Sequence, residues 1–261
     1  MIANRNQKTY TASDVVSYYA QLRQLQPAEA TILRRFKPEW PQIKLLDIGV
    51  GGGRTTQHFA PLVSEYVGID YSADMIAACK RRFPSTSQMH FQVCDVRDLS
   101  QFADNTFDFI LFSFNGIDYI SHEERLKALQ EISRVGKSGG YFFFSTHSLQ
   151  GMIREFKLQN KFSFNPLKTY VNLVMLAILR LANRSLTLAQ LQQLDHAIIK
   201  DESHNFRLKT YYINPADQLK QLAENFYDIQ IYSWSTGLEI KNQLELDANV
   251  EMWLYYLCTI K

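Results

Sequence analysis

Short runs of apolar residues alternate along the chain with segments of helical spacing, and this alternation predicts the fold. Five runs rich in Ile, Leu, Val and Phe come first, and two more lie near the C-terminus. Such runs are typical of strands that are buried on both faces of a sheet. The seven predicted strands cover residues 43–48, 65–69, 89–93, 107–114, 140–146, 227–234 and 252–260.

Helical patterns lie between these strands, at 54–62, 72–83 and 121–135. Strand alternating with helix predicts a parallel sheet with right-handed crossovers. Only a short polar segment separates the last two strands, which predicts an antiparallel pair. The expected fold class is therefore α/β, with a seven-stranded, mostly parallel, Rossmann-like sheet that ends in an antiparallel C-terminal edge pair.

Two segments lie outside this alternation. Residues 11–37 have the apolar spacing of N-terminal helices, and residues 148–205 form a helical insertion after strand five, with helices at 167–183 and 187–200. Because the insertion leaves the carboxyl end of strand five, we expect it above the sheet edge where ligands bind in open α/β folds. A lid over a ligand pocket is favoured over a helical pair that only covers apolar surface. Residues 1–261 are expected to form a single domain.

Composition excludes several classes of protein. The 261 residues are 46% hydrophobic and 21% charged, which is typical of globular rather than disordered chains. The 28 basic and 26 acidic residues give a formal charge of +2, so no overall field favours nucleic acid or an anionic membrane. A local charged patch is left open.

The cysteines and the apolar segments indicate a cytoplasmic protein. Cys79, Cys94 and Cys258 form no CxxC pair, which argues against a disulfide framework or a zinc site. The N-terminus lacks the apolar core of a signal peptide. The longest apolar segment, 170–182, contains Asn172 and Arg180 and is too short to span a bilayer. We therefore expect no transmembrane segment.

A glycine-rich loop follows the first predicted strand. Residues 45–53 read LLDIGVGGG, and Gly49, Gly51 and Gly53 permit positive φ angles and a close approach of a ligand to the main chain. The dinucleotide fingerprint GxGxxG requires glycine at position 54, which is Arg54, and the GKS or GKT of a Walker loop is absent. The loop thus indicates nucleotide-like binding but weakens the hypothesis of a dehydrogenase.

The DxGxGxG string from Asp47 to Gly53 resembles the class I S-adenosylmethionine-dependent methyltransferases. GIDYS, VCDVRDL and FSFNGIDYI follow the next three strands in the family's order. The resemblance covers residues 40–147, although Gly136 and Ser138 depart from the family's usual RVLKPGG turn. It implies S-adenosylmethionine as cofactor, bound by Asp47, Gly49, Gly51, Gly53, Asp70, Tyr71, Met75, Asp95, Val96, Ser113 and Asn115, with Tyr18 from the N-terminal helices.

The resemblance gives some of these residues individual roles. Asp70 would accept hydrogen bonds from both ribose hydroxyls. Asp95 would take the adenine amino proton, and the Val96 N–H would bind a ring nitrogen. Met75 is equally interpreted as packing on adenine or as a core methionine. Arg54, like Arg23, could reach the donor carboxylate, but a solvated helix face is the favoured location.

Polar residues after strands four and five are the catalytic candidates. A sulfonium methyl donor has a good leaving group, so positioning matters more than acid–base chemistry. His147 follows strand five, while Asp118 and Tyr119 follow strand four, so they should meet at one sheet edge. For His147, a base or acceptor contact and a loop histidine are equally weighted, and His204 ranks second. No metal is expected.

The acceptor is expected to be a small organic molecule that is methylated on N or O. An NPPY-like strand end is replaced by SFNG at 113–116, and no Pro-Cys dipeptide occurs, which disfavours nucleic acid. Alternatives are a non-catalytic cofactor-binding regulatory subunit, an RNA or protein methyltransferase, and an oxidoreductase. The insertion's apolar residues suit a partly hydrophobic acceptor, a homo-oligomer interface or a membrane surface: Phe156, Phe162, Phe164, Tyr170 and Met175.

Overall fold

One mixed sheet organises the protein. The structure, a computed structural model, describes residues 19, 21–84, 86–202, 206 and 208–261. Its strands are β1 Lys44–Ile48, β2 Glu65–Asp70, β3 Met89–Val93, β4 Phe107–Phe112, β5 Gly136–Ser148, β6 His196–Ile199, β7 Thr210–Ile213, β8 Phe226–Ser233, β9 Glu239–Ile240 and β10 Trp253–Ile260. All seven predicted strands are present, and β6, β7 and β9 are three short additions.

The strand order confirms the predicted α/β class. The main path runs β3-β2-β1-β4-β5-β10-β8-β9, and β7 pairs with β5 and β6 away from it. Strands β1 to β5 pair in parallel, whereas β10 is antiparallel to both β5 and β8. The carboxyl ends of the five parallel strands therefore meet at one edge of the sheet.

Helices cover both faces of this sheet. They are α1 Pro27–Arg35, α2 Thr56–Phe59, α3 Ala73–Arg82, α4 His122–Val135, α5 Leu149–Phe156, α6 Pro166–Ala182, α7 Leu188–Leu191, α8 Pro215–Leu222 and α9 Gln243–Ala248. Ser121 caps α4 in a capping box with Glu124. The first predicted N-terminal helix lies mostly outside the described residues.

Burial on both faces explains the continuous apolar runs. Along β4, Ile110 and Phe112 pack into one core cluster, while Phe109 and Leu111 pack into another on the opposite side. Successive side chains of a strand point to opposite faces, so both sets must be apolar. The strand is thereby fixed between two layers of helices.

Two of the predicted helices are much shorter in the structure. The segment 54–62 is helical only at α2, since residues 51–55 form turns and Pro61 has no N–H to continue the helix. The predicted helix 187–200 is the short α7 followed by β6, whose burial alternates along His196–Ile199. Pairing of β6 with β7 determines this outcome, and the apolar spacing within one segment does not report a partner strand outside it.

Candidate functional site

A cavity lies at the carboxyl ends of β1 to β4, directly over the glycine-rich loop. We call it the glycine-loop cavity; residues 47–52 are part of its lining. Gly49 and Gly51 have φ angles of 64° and 55°, which favour glycine. A Cβ on Gly51 would meet nothing closer than the Gly49 carbonyl oxygen at 3.9 Å. The space above Gly51 is therefore open to a ligand.

Gly53 has a different part in this loop. Its φ angle is 78°, but a Cβ there would lie 2.4 Å from the Phe83 ring. Gly53 is also outside the lining of the glycine-loop cavity. The structure thus places Gly53 where it allows the turn to pack against Phe83, rather than where a ligand would touch it.

Asp70 ends β2 beside the loop. Its carboxylate accepts hydrogen bonds from the Ser72 N–H at 2.8 Å and the Gly51 N–H at 3.0 Å. Burial raises the pKa of Asp70 to about 6, although these two hydrogen bonds oppose the change. Asp70 therefore supports the loop and titrates close to neutral pH.

Asp47 is the second buried carboxyl group of the cavity. It accepts hydrogen bonds from the hydroxyls of Thr55 and Tyr66, both at 2.5 Å. Burial raises the pKa of Asp47 to about 6, and the two hydrogen bonds limit that rise. Asp47 thus links the base of the loop to β2 and to the start of α2.

The same cavity is also lined by the residues predicted near adenine: Tyr71, Met75, Asp95 and Val96. Met75 is 3% exposed, so it belongs to the core and to the cavity lining at once. Asp95 forms an ion pair with Arg97, at 2.5 Å between Nη2 and Oδ2. Burial favours a higher pKa for Asp95, but the hydrogen bonds from Arg97 outweigh it and hold the pKa below its usual value. The carboxylate expected to meet adenine thus already has a cationic partner.

A buried charge cluster joins α1 to the cavity, and sequence reasoning missed it. Arg54 Nη2 lies 2.7 Å from Glu29 Oε1, and Glu29 also accepts hydrogen bonds from Ser113 and Tyr255. Arg54 is 7% exposed and Glu29 is fully buried, so the expected solvated location of Arg54 was wrong. Burial opposes ionisation of Arg54, but the Glu29 charge raises its pKa. The guanidinium is held as a fixed cation in the cavity lining.

The loop after β4 is conformationally strained. Phe114 and Asn115 have φ angles of 60° and 62°, in the left-handed region that non-glycine residues seldom adopt. The Asn115 N–H donates to Ser145 Oγ at 2.8 Å, which holds the loop against β5. Ser113 and Phe114 line the glycine-loop cavity, whereas Asn115 lies behind it. Strain of this kind concentrates at functional sites.

His147 and Asp118 contact each other, as their positions after strands five and four predicted. His147 Nδ1 lies 2.8 Å from Asp118 Oδ2, and the His147 N–H donates to the same oxygen at 2.7 Å. Asp118 is fully buried and also pairs with Arg125 at 2.7 Å. A carboxylate at Nδ1 favours the tautomer that leaves Nε2 without a proton. Asp118 can position His147, but it is not among the residues that line the glycine-loop cavity.

His147 faces a second cavity beneath the insertion. This His147 cavity is lined mainly by apolar side chains, among them Met152, Met175, Leu179, Phe206 and Trp253. Tyr119, in contrast, lines the glycine-loop cavity. The Phe114 and Trp253 rings, 6.5 Å apart between centroids, stand between the two spaces. His147 and Tyr119 are thus neighbours in the fold that face different cavities.

Tyr18 and His204 lie outside the described residues, while Tyr19 lines the glycine-loop cavity. Within the described part of the chain, no group of His, Cys, Asp or Glu side chains is arranged to hold a metal ion. No helix in the same part is long and apolar enough to cross a membrane.

Comparisons with known proteins agree with this geometry. A family profile described as a methyltransferase domain matches residues 46–144. The demethylmenaquinone methyltransferase of Renibacterium salmoninarum is 33% identical over 146 residues, which are 56% of this chain and 54% of that one. The chain spans about half the length, or less, of the curated relatives it matches.

Solved structures share the fold. An S-adenosylmethionine dependent methyltransferase from Mesorhizobium loti aligns with a TM-score of 0.59 at 16% identity, covering 89% of this chain and 97% of that one. The 1,6-didemethyltoxoflavin-N1-methyltransferase of Burkholderia thailandensis, solved with S-adenosylhomocysteine, has a TM-score of 0.59 at 15% identity, covering 99% and 88%. The family match assigns residues 46–144 to a methyltransferase domain, and the glycine-rich loop and sheet order agree with the predicted resemblance to the class I S-adenosylmethionine-dependent methyltransferases.

Proposed function

We propose that this protein binds S-adenosylmethionine in the glycine-loop cavity and transfers its methyl group to an N or O atom of a small organic acceptor. The observation that carries the proposal is the open space above Gly51, next to the buried Asp70 carboxylate. Bare main chain and a carboxylate suit a nucleoside, because the base and sugar need close approach and the diol needs an acceptor.

The residues around the cavity fit each part of this cofactor. Asp70 would accept from the ribose hydroxyls, and Met75, Val96 and Tyr71 would enclose the adenine, with Asp95 at its amino group. The Arg54 cation would face the donor carboxylate, and Tyr19 lines the same cavity. When bound, S-adenosylmethionine supplies a methyl group on a cationic sulfur, so the chain itself needs to hold both partners and exclude water.

The acceptor is proposed to enter from the His147 cavity. Asp118 orients the imidazole, and Nε2 could take a proton from an amine or hydroxyl that replaces its 3.4 Å contact with Asn115 Nδ2. Asn115 Oδ1 and Trp253 Nε1 are buried and have no hydrogen-bond partner among the described residues, and such groups cost about 1–3 kcal/mol each unless a ligand or water satisfies them. Tyr119 would contact the acceptor from the other side of the Phe114 loop.

The insertion 148–205 acts as a lid in this proposal, within one domain that spans residues 1–261. Support comes from its packing: Leu149, Met152 and Phe156 form a core cluster with Leu179 and Tyr212, directly over the His147 cavity. All three cysteines are buried and free, which suits the cytoplasm.

Thermal shift measurements test donor binding. S-adenosylmethionine and S-adenosylhomocysteine should each raise Tm, since a ligand at 100 times its Kd stabilises by about 2.7 kcal/mol, and NAD should not. Asp70→Asn should abolish the shift. Asp74→Asn removes an exposed carboxylate at the start of α3 and should leave the shift intact. A shift with NAD alone would refute the assignment.

The acceptor can be identified by screening a metabolite extract. The protein is incubated with labelled donor and fractionated metabolite extract, and the products are screened by mass for a gain of one methyl group. We expect a small molecule with an amine or hydroxyl. Label found only in RNA or protein would replace this proposal with the macromolecular alternative, and donor binding without any labelled product would favour a regulatory subunit.

A further inference from the structure

Helix α6 exposes an apolar stripe to the outside of the molecule. Leu167, Tyr170, Val171, Val174, Ile178 and Leu181 all lie on one side of it, within an arc of roughly 100° at 3.6 residues per turn. Their exposed fractions run from 39% to 70%. A surface helix of a globular protein normally turns such a stripe toward the core.

The opposite side of α6 is the one that packs against the rest of the protein. Leu176 and Leu179 are buried there, and with Met175 they line the His147 cavity. The exposed stripe is therefore additional to the apolar surface that the fold uses. Leu158, Phe162 and Phe164, which precede the helix, extend it with exposed fractions of 49%, 64% and 109%.

This surface is concentrated in one place. Nine of the 17 large apolar side chains that are exposed in the described residues lie between positions 158 and 181. Scattered exposed apolar residues need no explanation, but a contiguous patch of this kind marks an interaction surface.

The charge around the stripe indicates which partner it meets. Residues 156–194 contain no Asp or Glu but five basic residues: Lys157, Lys161, Lys168, Arg180 and Arg184. Lys161 is buried against Glu155, and the other four remain at the surface of this segment. Lys168 is exposed at one flank of the stripe, where a long basic side chain can extend past an apolar face. Arg180 lies toward the opposite side of the helix and donates to the Phe156 carbonyl oxygen at 3.0 Å.

We propose that the outer face of α6, with residues 158–164, docks onto an anionic lipid surface. A helix with an apolar face and basic flanks lies in the plane of a membrane interface, with its apolar side among the acyl chains and its cations at the headgroups. A second copy of this chain is a poorer occupant, because a symmetric contact would place this basic segment against itself.

The docking would set the His147 cavity beside the lipid, since α6 lines that cavity with its inner side. An apolar acceptor held in a membrane would then lie close to the site proposed above. That consequence rests on the proposed function, whereas the docking itself does not, so the two fail separately.

Vesicle sedimentation tests the docking without donor or acceptor. The full chain should sediment with vesicles of phosphatidylcholine containing 30 mol% phosphatidylglycerol, and weakly with phosphatidylcholine alone or in 0.5 M NaCl, because screening removes the basic contribution. Leu167→Gln with Leu181→Gln should lower the partition coefficient about tenfold, since two partly buried leucines are lost from the interface.

The matched control is Leu238→Gln with Leu244→Gln, which removes two leucines exposed by 69% and 81% elsewhere. It should bind vesicles like the parent chain. Equal binding by both double variants, or no preference for anionic vesicles, would overturn the proposal. A dimer in sedimentation velocity would also overturn the proposal if the double variant Leu167→Gln with Leu181→Gln dissociates it and the control double variant does not.

Discussion

The proposed donor site depends most directly on Gly51. Its φ of 55° disfavours any side chain, and the space over it is open. Gly51→Val should abolish binding of S-adenosylhomocysteine while the protein stays folded, because the branched side chain would fill the cavity and add about 1–3 kcal/mol of backbone strain. Isothermal titration calorimetry and a thermal melt measure the two effects.

Gly139 provides the control for that substitution. Its φ is 80°, and a Cβ there would meet nothing within 4 Å, far from the glycine-loop cavity. Gly139→Val should therefore lower Tm through similar strain and leave ligand affinity unchanged. Retained binding by Gly51→Val would show that the loop does not carry the ligand.

Asp70 predicts a pH dependence of donor binding. Its folded pKa of about 6 means that the carboxylate is ionised above that pH and protonated below it. A protonated group loses much of its capacity to accept from a diol, so affinity should fall by up to about tenfold per pH unit below 6 and be constant from 7 to 8. Titration calorimetry with S-adenosylhomocysteine between pH 5 and 8 measures it.

Asp47 titrates in the same range, so Asp47→Asn separates the two groups. The amide can still accept hydrogen bonds from Thr55 and Tyr66. If Asp70 is responsible, this variant keeps the fall in affinity below pH 6. A flat profile in the parent chain, or one that disappears with Asp47, would contradict the assignment.

His147 is predicted to act after donor binding. Once the acceptor is known, His147→Gln should reduce kcat by about 10²- to 10⁴-fold if its Nε2 acts as a base, and leave donor affinity within about twofold. His90→Gln, an exposed strand histidine, is the control. Unchanged turnover in His147→Gln would assign the His147–Asp118 pair to structure alone.

At the scale of elements, α1 is fixed to the sheet by the Glu29–Arg54 pair. Glu29→Gln would leave a buried cation without its counter-ion and should destabilise the fold by about 3 kcal/mol or more, measured by urea unfolding. Glu39→Gln changes an exposed carboxylate just after the same helix and should cost almost nothing. Pairing Glu29→Gln with Arg54→Met should recover part of the loss, and failure to do so would show that the pair is not coupled.

The elements also show how far sequence reasoning extends. The seven long strands, α3, α4 and α6 could be predicted, because their apolar spacing reports burial directly. The loop residues Gly49, Gly51 and Asp70 were found through their motif, and all line or support one cavity. Strand β6 was missed because it depends on pairing with β7, which the spacing of apolar residues within 187–200 does not report.

Two buried charges were missed for a related reason, although the sequence carries a signal for them. Arg125 precedes Ala128, Leu129 and Ile132, and Glu29 precedes Ile32, at the spacing of one helix face. A charge on an apolar stripe predicts a buried partner, but the stripe cannot name it. Asp118 and Arg54 are those partners, and they come from other elements.

At the scale of the whole molecule, both cavities lie at the same edge of the sheet. The carboxyl ends of β1 to β4 surround the glycine-loop cavity, and the end of β5 with the insertion surrounds the His147 cavity. Because parallel strands end at the same edge, the proposed donor and acceptor sites are neighbours without any long-range arrangement of the chain. The Phe114 loop between them is where the two ligands would meet.

A crystal structure of the protein with S-adenosylhomocysteine tests the central claim most directly. The account predicts the ligand against the main chain of residues 49–52, with its ribose hydroxyls on the Asp70 carboxylate. A ligand bound elsewhere, or side chains closing the space above Gly51, would contradict it.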